Sequence, residues 1–177
     1  MKQNRKLLHK VRFTAFVASS VDGRISLSTH TRPDWTSRED WQFLQESLGS
    51  YDAVVVGRNT FRAAEKRLRK RNTYVFSRTV AKTKQEGLVT FVNPARVNLA
   101  TLLSTHKRIA VLGGSSVYQF MLSKKMLNEL YITIEPLVFG RGIPMFSGGS
   151  KNHTLALRSV RRLNKKGTLL LRYEIQP

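Results

Sequence analysis

The chain has 177 residues, 41% of them hydrophobic and 9% aromatic, which predicts one globular domain spanning residues 1–177. It contains no cysteine, which excludes disulfides, thiolate metal sites and a cysteine nucleophile, and its four histidines lack metal-ligand spacing, so no metal is expected. Thirty-one basic residues against 11 acidic ones give a net charge of +20, so the surface will attract polyanions at low salt.

No apolar segment approaches the roughly 20 residues of a membrane span, so the sequence predicts a cytoplasmic protein without a membrane partner. The basic start followed by apolar residues imitates a signal peptide, but the apolar stretch at 13–18 is too short. We interpret residues 1–11 as a flexible basic tail that precedes a first strand at 13–19.

A polar loop over 20–36 follows, with a turn at Asp22-Gly23. A helix is then predicted over 37–48, because Trp41, Leu44 and Leu48 share one helical face and Ser37 is a good N-cap. Further strands are predicted at 52–56, 73–76, 88–92 and 108–112, and further helices at 60–68, 98–105 and 116–127. The end of the chain is strand-like at 129–138, 155–163 and 168–175. This order predicts an α/β fold with a mostly parallel sheet, helices on both faces and antiparallel C-terminal strands at one edge.

Two glycine corners follow predicted strands, one at Gly57 and one at Gly113-Gly114. In each, a short apolar strand stops at glycine and turns into a helical pattern, so the backbone can approach an anion and the first helical N–H groups point at it. A third strand ends between them at 77–79. The corners predict a long phosphate-bearing cofactor lying across several strand ends.

Asp40 is the sharpest candidate side chain. At ~100° per residue it lies between Phe43 and Leu44 on the helix, in the arc that contains Leu48, so its carboxyl is expected to face inward. Burial raises the pKa of such an acid and suits it to bind a protonated or amidine-like ring edge. A first-turn acid that complements the helix dipole is the alternative, and Glu39 is the second candidate.

Basic residues cluster at 2–12, 62–84 and 151–172, which makes nucleic-acid binding an alternative class of function. Aromatic residues are not interleaved with these clusters as a single-strand platform requires, and no known nucleic-acid-binding motif is present. We interpret the charge as solvated surface that binds polyanions incidentally and helps to capture anionic ligands.

Segments along nearly the whole chain resemble the dihydrofolate reductase-like superfamily, and within it the reductase domain of the bifunctional riboflavin-biosynthesis protein (RibD) and its stand-alone relatives. The matching segments are 18–25, 35–40, 74–79, the Gly113-Gly114 corner and 130–146. The resemblance implies a three-layer α/β fold and NADPH-dependent hydride transfer to a pyrimidine- or pteridine-type small molecule.

The resemblance also implies site residues. Those for the cofactor are Ala18, Arg58, Thr60, Ser77, Arg78, Thr79, Gly113, Gly114, Ser115, Ser116 and Val117. Those for the substrate are Trp35, Glu39, Asp40 and Phe43, with Asp40 as the catalytic residue. Arginine forks suit a 2'-phosphate, which favours NADPH over NADH. Trp35 forms either a pocket wall or a packing contact at the helix start.

Two substrates stay open. The segment 57–60 and the five-residue interval from Trp35 to Asp40 are more similar to dihydrofolate reductase, whereas the C-terminal third is more similar to the riboflavin-pathway reductases. Leu112 and the segment 62–67 depart from the riboflavin-reductase pattern. We favour a riboflavin-pathway ribosylaminopyrimidine phosphate, with dihydrofolate as the alternative. Members of this branch are commonly homodimers paired through the C-terminal strands, and the apolar run 130–139 is either such an interface or a central strand.

Overall fold

A computed structural model describes residues 11–28, 34–149 and 152–176. Within these ranges eleven strands and four helices alternate along the chain. The strands are β1 (Arg12–Ser20), β2 (Arg24–Ser26), β3 (Ala53–Gly57), β4 (Thr73–Phe76), β5 (Thr83–Glu86), β6 (Val89–Val92), β7 (Arg108–Val111), β8 (Glu129–Glu135), β9 (Ile143–Pro144), β10 (Leu155–Arg162) and β11 (Leu169–Ile175). The helices are α1 (Arg38–Leu48), α2 (Arg58–Leu68), α3 (Leu99–Leu103) and α4 (Ser115–Ser123).

Nine strands form one sheet in the order β10-β11-β8-β1-β7-β3-β4-β6-β5, and β2 pairs with β9 separately. The six strands from β8 to β6 in that order run parallel to one another. Antiparallel β11 and β10 extend one edge, and antiparallel β5 closes the other. The predicted α/β class, with a mostly parallel sheet and antiparallel C-terminal strands, is confirmed.

Side chains along each strand alternate between the two faces of the sheet, so both faces carry apolar residues and both are covered by helices. Phe13, Ala15 and Val17 of β1 point into the core shared with α3 and α4, whereas Phe16 points to the opposite core shared with α1 and α2. Both cores are closed by helices whose apolar positions recur at the helical period. The expected helices on both faces of the sheet are therefore present.

The three strands missing from the sequence prediction, β2, β5 and β9, lack an apolar strand pattern of their own and are strands because of the segments they pair with. β5 consists of polar, mostly exposed residues and becomes a strand by pairing with β6 across a turn at Gly87. β2 and β9 are short segments that pair only with each other. The last predicted helix ends at Ser123, earlier than expected, because Lys125 adopts a left-handed backbone with φ of 54°.

The apolar run that begins at Leu130 is a central strand, because β8 lies between β1 and β11. β10 is the edge strand on that side, and the homodimer stays a prediction. Of the predicted tail, residues 1–10 lie outside the described residues, and Val11 is buried in the core. None of the described helices is long and apolar enough to cross a membrane.

Candidate functional site

A cavity of about 1480 Å³ lies at the carboxyl ends of the parallel strands. Its walls come from the end of β1, the corner after β3, the segment after β4, the corner after β7, and the inner faces of α1 and α2. Pockets for one drug-sized ligand measure about 300–1,000 Å³, so this cavity has room for a dinucleotide and a second small molecule. Open α/β sheets bind their ligands at this edge.

The two glycine corners meet at the floor of the cavity. The Gly57 N–H donates to the Gly113 carbonyl at 2.6 Å, so the ends of β3 and β7 are joined at this point. Gly113 has a φ of 95°, a backbone that L side chains rarely adopt, and its peptide bond to Gly114 is cis. A Cβ on Gly57 would lie 3.2 Å from Val117 Cγ2 and 3.5 Å from the Gly114 nitrogen. Both corners therefore need glycine for close backbone approach.

The helices that follow these corners start without a side-chain cap. α1 and α3 begin at Ser37 and Asn98, whose side chains accept a backbone N–H, but α2 and α4 begin at Gly57 and Gly114 and have no such acceptor. Ser115 Oγ, in the first turn of α4, is buried and has no hydrogen-bond partner among the described residues. Donors that lack a protein acceptor at a helix start suit an anionic ligand.

Polar side chains at the end of β4 are linked to the start of α2. Arg58 Nη1 donates to Thr79 Oγ1 at 3.0 Å, and Thr79 Oγ1 lies 2.9 Å from Ser77 Oγ. Arg78 and Thr60 also line the cavity, and Arg78 is exposed. Except for Ala18 and Gly113, the predicted cofactor-binding residues line the cavity at the corners after β3 and β7 and at the end of β4. Ala18 lines it at the end of β1, and Gly113 contributes through its carbonyl.

At the other end of the cavity Asp40 faces inward from the first turn of α1. Its carboxyl hydrogen-bonds to the side chains of Thr133 and Thr36. Burial raises the pKa of Asp40, and the nearby negative charge of Glu135 raises it further, while the two threonine bonds act in the opposite direction. The carboxyl can therefore retain a proton at higher pH than an exposed aspartate, which suits it to proton exchange with a ligand.

Two aromatic side chains predicted to bind substrate also line the cavity. Trp35 packs edge-on against Phe139 at 5.0 Å, so it forms a pocket wall and a packing contact at once. Its Nε1 is buried without a partner among the described residues. Phe43 lines the cavity beside Phe16, with ring centroids 6.1 Å apart, and Ala18 lines the same space.

Glu39, the second candidate acid, lies outside the cavity lining. It is exposed on the solvent side of α1, where its carboxylate accepts a hydrogen bond from Asn164 Nδ2 at 3.1 Å. This bond lowers the pKa of Glu39. Glu39 and Asp40 are adjacent in α1, and adjacent residues of a helix point in different directions, so Asp40 faces the cavity and Glu39 faces solvent.

Sequence reasoning missed three residues around Asp40, namely Thr133, Glu135 and Tyr118. Thr133 and Glu135 are buried side chains two positions apart on β8, and the register with β1 and β11 brings them beneath α1. Tyr118 is buried in α4, donates to the Phe16 carbonyl and lies near Asp40. The sequence did contain one signal for this group, because Glu135 ends a largely apolar strand. An acid that such a strand buries must be hydrogen-bonded to other residues.

Asp22 fastens the turn after β1 to the segment that follows β8. Its carboxylate accepts from Ser20 Oγ at 2.6 Å, from the Phe139 N–H at 3.0 Å and from the Gly140 N–H at 2.9 Å. These bonds, chiefly the one from Ser20, lower the pKa of Asp22 from 3.8 to about 2. Because Phe139 packs on Trp35, the clamp also holds one wall of the cavity.

We expect Asp22→Asn to speed amide hydrogen exchange at Phe139 and Gly140, because a neutral amide accepts these bonds less strongly than a carboxylate. In the wild type the lowered pKa means that the clamp is intact above the ordinary value of 3.8 and is lost as the pH falls through about 2. Exchange measured by mass spectrometry at neutral pH tests this. The exposed Asp34→Asn variant is the control, and equal protection in both variants would contradict the assignment.

Basic and aromatic side chains that are separated in sequence meet on the sheet face beyond α1. Arg108 lies over the ring of Tyr51 at 4.7 Å, Arg172 over Tyr131, and Arg161 over Phe43. These are cation–π contacts, which the fold forms between residues that are far apart in the sequence.

The comparisons with known proteins agree with this architecture. The sequence model of dihydrofolate reductase matches residues 13–137. An uncharacterized protein of Bacillus subtilis (strain 168), YwjB, is 24% identical over 160 residues, which cover 85% of this chain and 91% of YwjB.

Three solved structures share the fold. A putative riboflavin biosynthesis protein from Shewanella sp. PV-4 is similar with a TM-score of 0.75 at 18% identity, over 94% of this chain and 100% of that one. A pyrimidine reductase-like protein from Corynebacterium diphtheriae gives 0.76 at 18% identity, over 97% and 94%. Dihydrofolate reductase from Enterococcus faecalis, complexed with NADP(H), gives 0.66 at 20% identity, over 95% and 98%. With the predicted superfamily confirmed by sequence and by fold, the chain belongs to the dihydrofolate reductase family.

Proposed function

We propose that the protein is an NADPH-dependent reductase that transfers hydride to a pyrimidine- or pteridine-type ring system or its ribosylamine. One observation carries the proposal: a single cavity has two uncapped helix starts along one side and an inward-facing acid at its other end. Uncapped helix starts are suited to bind phosphate groups, and an inward-facing acid is suited to bind or protonate a ring nitrogen.

The residues on the glycine side fit a dinucleotide. The N–H groups that open α2 and α4, the unpartnered Ser115 Oγ, and the bare backbone at Gly57 and Gly114 would hold its pyrophosphate. When bound, NADPH supplies the hydride, and the protein supplies binding, orientation and electrostatics. Arg58 is already oriented by Thr79, so its guanidinium would be available to bind the adenosine-side phosphates.

Arg78 is the residue we expect to distinguish NADPH from NADH, because its exposed guanidinium lines the cavity beside Ser77 and Thr79. Arg78→Ala should weaken NADPH binding by about 10- to 100-fold, as for the loss of one charge-assisted hydrogen bond, and leave NADH binding nearly unchanged. Titration of each nucleotide by calorimetry measures this. Arg96→Ala, an exposed arginine outside the cavity, is the matched control, and an equal loss for both nucleotides would refute the assignment.

On the acid side, Asp40 would bind or protonate the substrate nitrogen, directly or through water, while Thr133 and Thr36 orient its carboxyl. The raised pKa of Asp40 places its protonated form closer to neutral pH, where a general acid is most effective. Trp35 and Phe43 would enclose the ring between apolar walls. The buried Trp35 Nε1 is a donor available to the ligand or to an ordered water.

For the substrate we favour a riboflavin-pathway ribosylaminopyrimidine phosphate, with dihydrofolate as the second candidate. The riboflavin-type and pyrimidine reductase-like structures favour the first, and the family match over residues 13–137 favours the second. NADPH oxidation measured with both substrates side by side decides between them. Turnover of dihydrofolate alone would overturn the first choice, and turnover of neither, with no NADPH-induced rise in melting temperature, would overturn the proposal.

A further inference from the structure

A second acid, Glu135, lies beneath the start of α1 at the end of β8. It is 3% exposed, and both of its carboxylate oxygens are bound by the protein. Oε1 accepts from the Ser37 N–H at 2.7 Å, and Oε2 accepts from Thr168 Oγ1 at 2.7 Å. Burying a carboxylate is costly unless donors bind it, so a hydrogen bond on each oxygen shows that the fold holds this side chain specifically.

These bonds join three elements at one point. Ser37 is the N-cap of α1, and its Oγ in turn accepts from the Asp40 N–H at 3.3 Å. Thr168 stands at the start of β11 and is bonded to Asn164 in the turn that links β10 to β11. Glu135 thus fastens the first turn of α1, which carries Asp40, to the sheet and to that turn.

The Asp40 carboxyl approaches the same patch of β8. It hydrogen-bonds to Thr133, two residues before Glu135 and on the same face of the strand. Among the described residues, the ionisable groups that face Asp40 are Glu135 from β8 and Tyr118 from α4, whereas Glu39 of its own helix points outward to Asn164. The ionisable residue of β8 that faces Asp40 is therefore a second acid.

We propose that Glu135 is a positioning residue for Asp40: its carboxyl group anchors the first turn of α1 through Ser37 and places a second acid beside the Asp40 carboxyl. Glu135 is 3% exposed and is not among the residues that line the cavity, so it is not a ligand for substrate. Asp40 is left as the acid that meets the substrate, and Glu135 makes it harder to ionise. The inference rests on the proposed role of Asp40, but its physical content is independent of the substrate.

The test is a carbon-13 NMR titration of the side-chain carboxyls in the protein without ligands, with Asp40→Asn used to assign the Asp40 resonance. Glu135→Gln keeps an oxygen for the Ser37 N–H and an amide that can donate to Thr168, but it removes the charge. We expect the titration midpoint of Asp40 to move to lower pH in Glu135→Gln and to stay unchanged in Glu46→Gln, which alters an exposed acid of the same helix.

An unchanged Asp40 midpoint in Glu135→Gln would overturn the proposal. If that variant does not fold, Glu135→Asp decides. Its shorter side chain keeps an acid but cannot reach both Ser37 and Thr168, so amide exchange at Ser37 and Asp40 should speed up, and unchanged protection there would equally overturn the proposal. In an active preparation the alkaline limb of the kcat/KM profile should shift with the Asp40 midpoint. Loss of turnover on every substrate would remove the proposed function, whereas the titration would still decide the role of Glu135.

Discussion

Asp40→Asn will lower turnover by ~10²–10⁴-fold, the usual contribution of a general acid, and will leave NADPH affinity unchanged. The separation follows from the cavity, because Asp40 lies on the α1 side and the residues proposed for the cofactor lie along β3, β4 and β7. Asparagine keeps the shape and the contacts with Thr133 and Thr36 but cannot exchange a proton. Steady-state NADPH oxidation gives kcat, and nucleotide titration gives the affinity.

The same substitution should stabilise the fold in a defined pH range. The pKa of Asp40 is higher in the folded chain than in the unfolded one, so the unfolded state binds fewer protons between the two values and stability falls as pH rises through that window. Asp40→Asn removes this loss. Urea unfolding at about pH 8 should show the variant more stable than the wild type, and at about pH 3 the difference should vanish.

Glu46→Gln on the same helix is the control for both measurements, because Glu46 is exposed and bonded only locally to Gln42. Full turnover in Asp40→Asn would remove this carboxyl from the chemistry. A variant that is less stable than the wild type at high pH would show that Asp40 acts as a structural helix-start acid, the alternative that its place in the first turn allows.

The parts of the site that sequence reasoning found are those with local signals. A glycine after an apolar strand marks a corner such as Gly57 whatever the rest of the fold does, and a 3.6-residue period places Asp40 on the inner face of α1. Both signals lie within a dozen residues, so no knowledge of strand order was needed.

The parts that it missed are non-local. Thr133 and Glu135 reach Asp40 only through the pairing of β8 with β1 and β11, a register that sequence alone does not specify. The short β2 and β9 are strands only because they pair with each other from distant parts of the chain. The stacking of Arg108 on Tyr51 likewise joins residues that composition treats as unrelated. The sequence therefore identifies individual site residues, but it does not show which other residues surround them in the fold.

Gly113→Ala should both destabilise the protein and abolish the NADPH-induced rise in melting temperature. A left-handed backbone at a non-glycine residue costs about 1–2 kcal/mol by itself. At φ of 95°, an added Cβ would also lie 2.8 Å from two ring carbons and from the hydroxyl oxygen of Tyr118. That ring cannot swing away easily, because it is 3% exposed and its hydroxyl is bonded to the Phe16 carbonyl.

The Gly87→Ala variant separates the cost of a left-handed backbone from the cost of the contact between the added Cβ and a neighbouring side chain. Gly87 lies in the turn between β5 and β6 with φ of 60°, and a Cβ there would meet nothing within 4 Å. Its melting temperature should fall by roughly 2–8 °C, the effect of the backbone cost alone, with the response to NADPH intact. Gly113→Ala should fall further, because relief of the Tyr118 contact moves the carbonyl that receives the Gly57 N–H and so displaces both corners. Equal behaviour of the two variants would mean that the paired corners do not form the dinucleotide site.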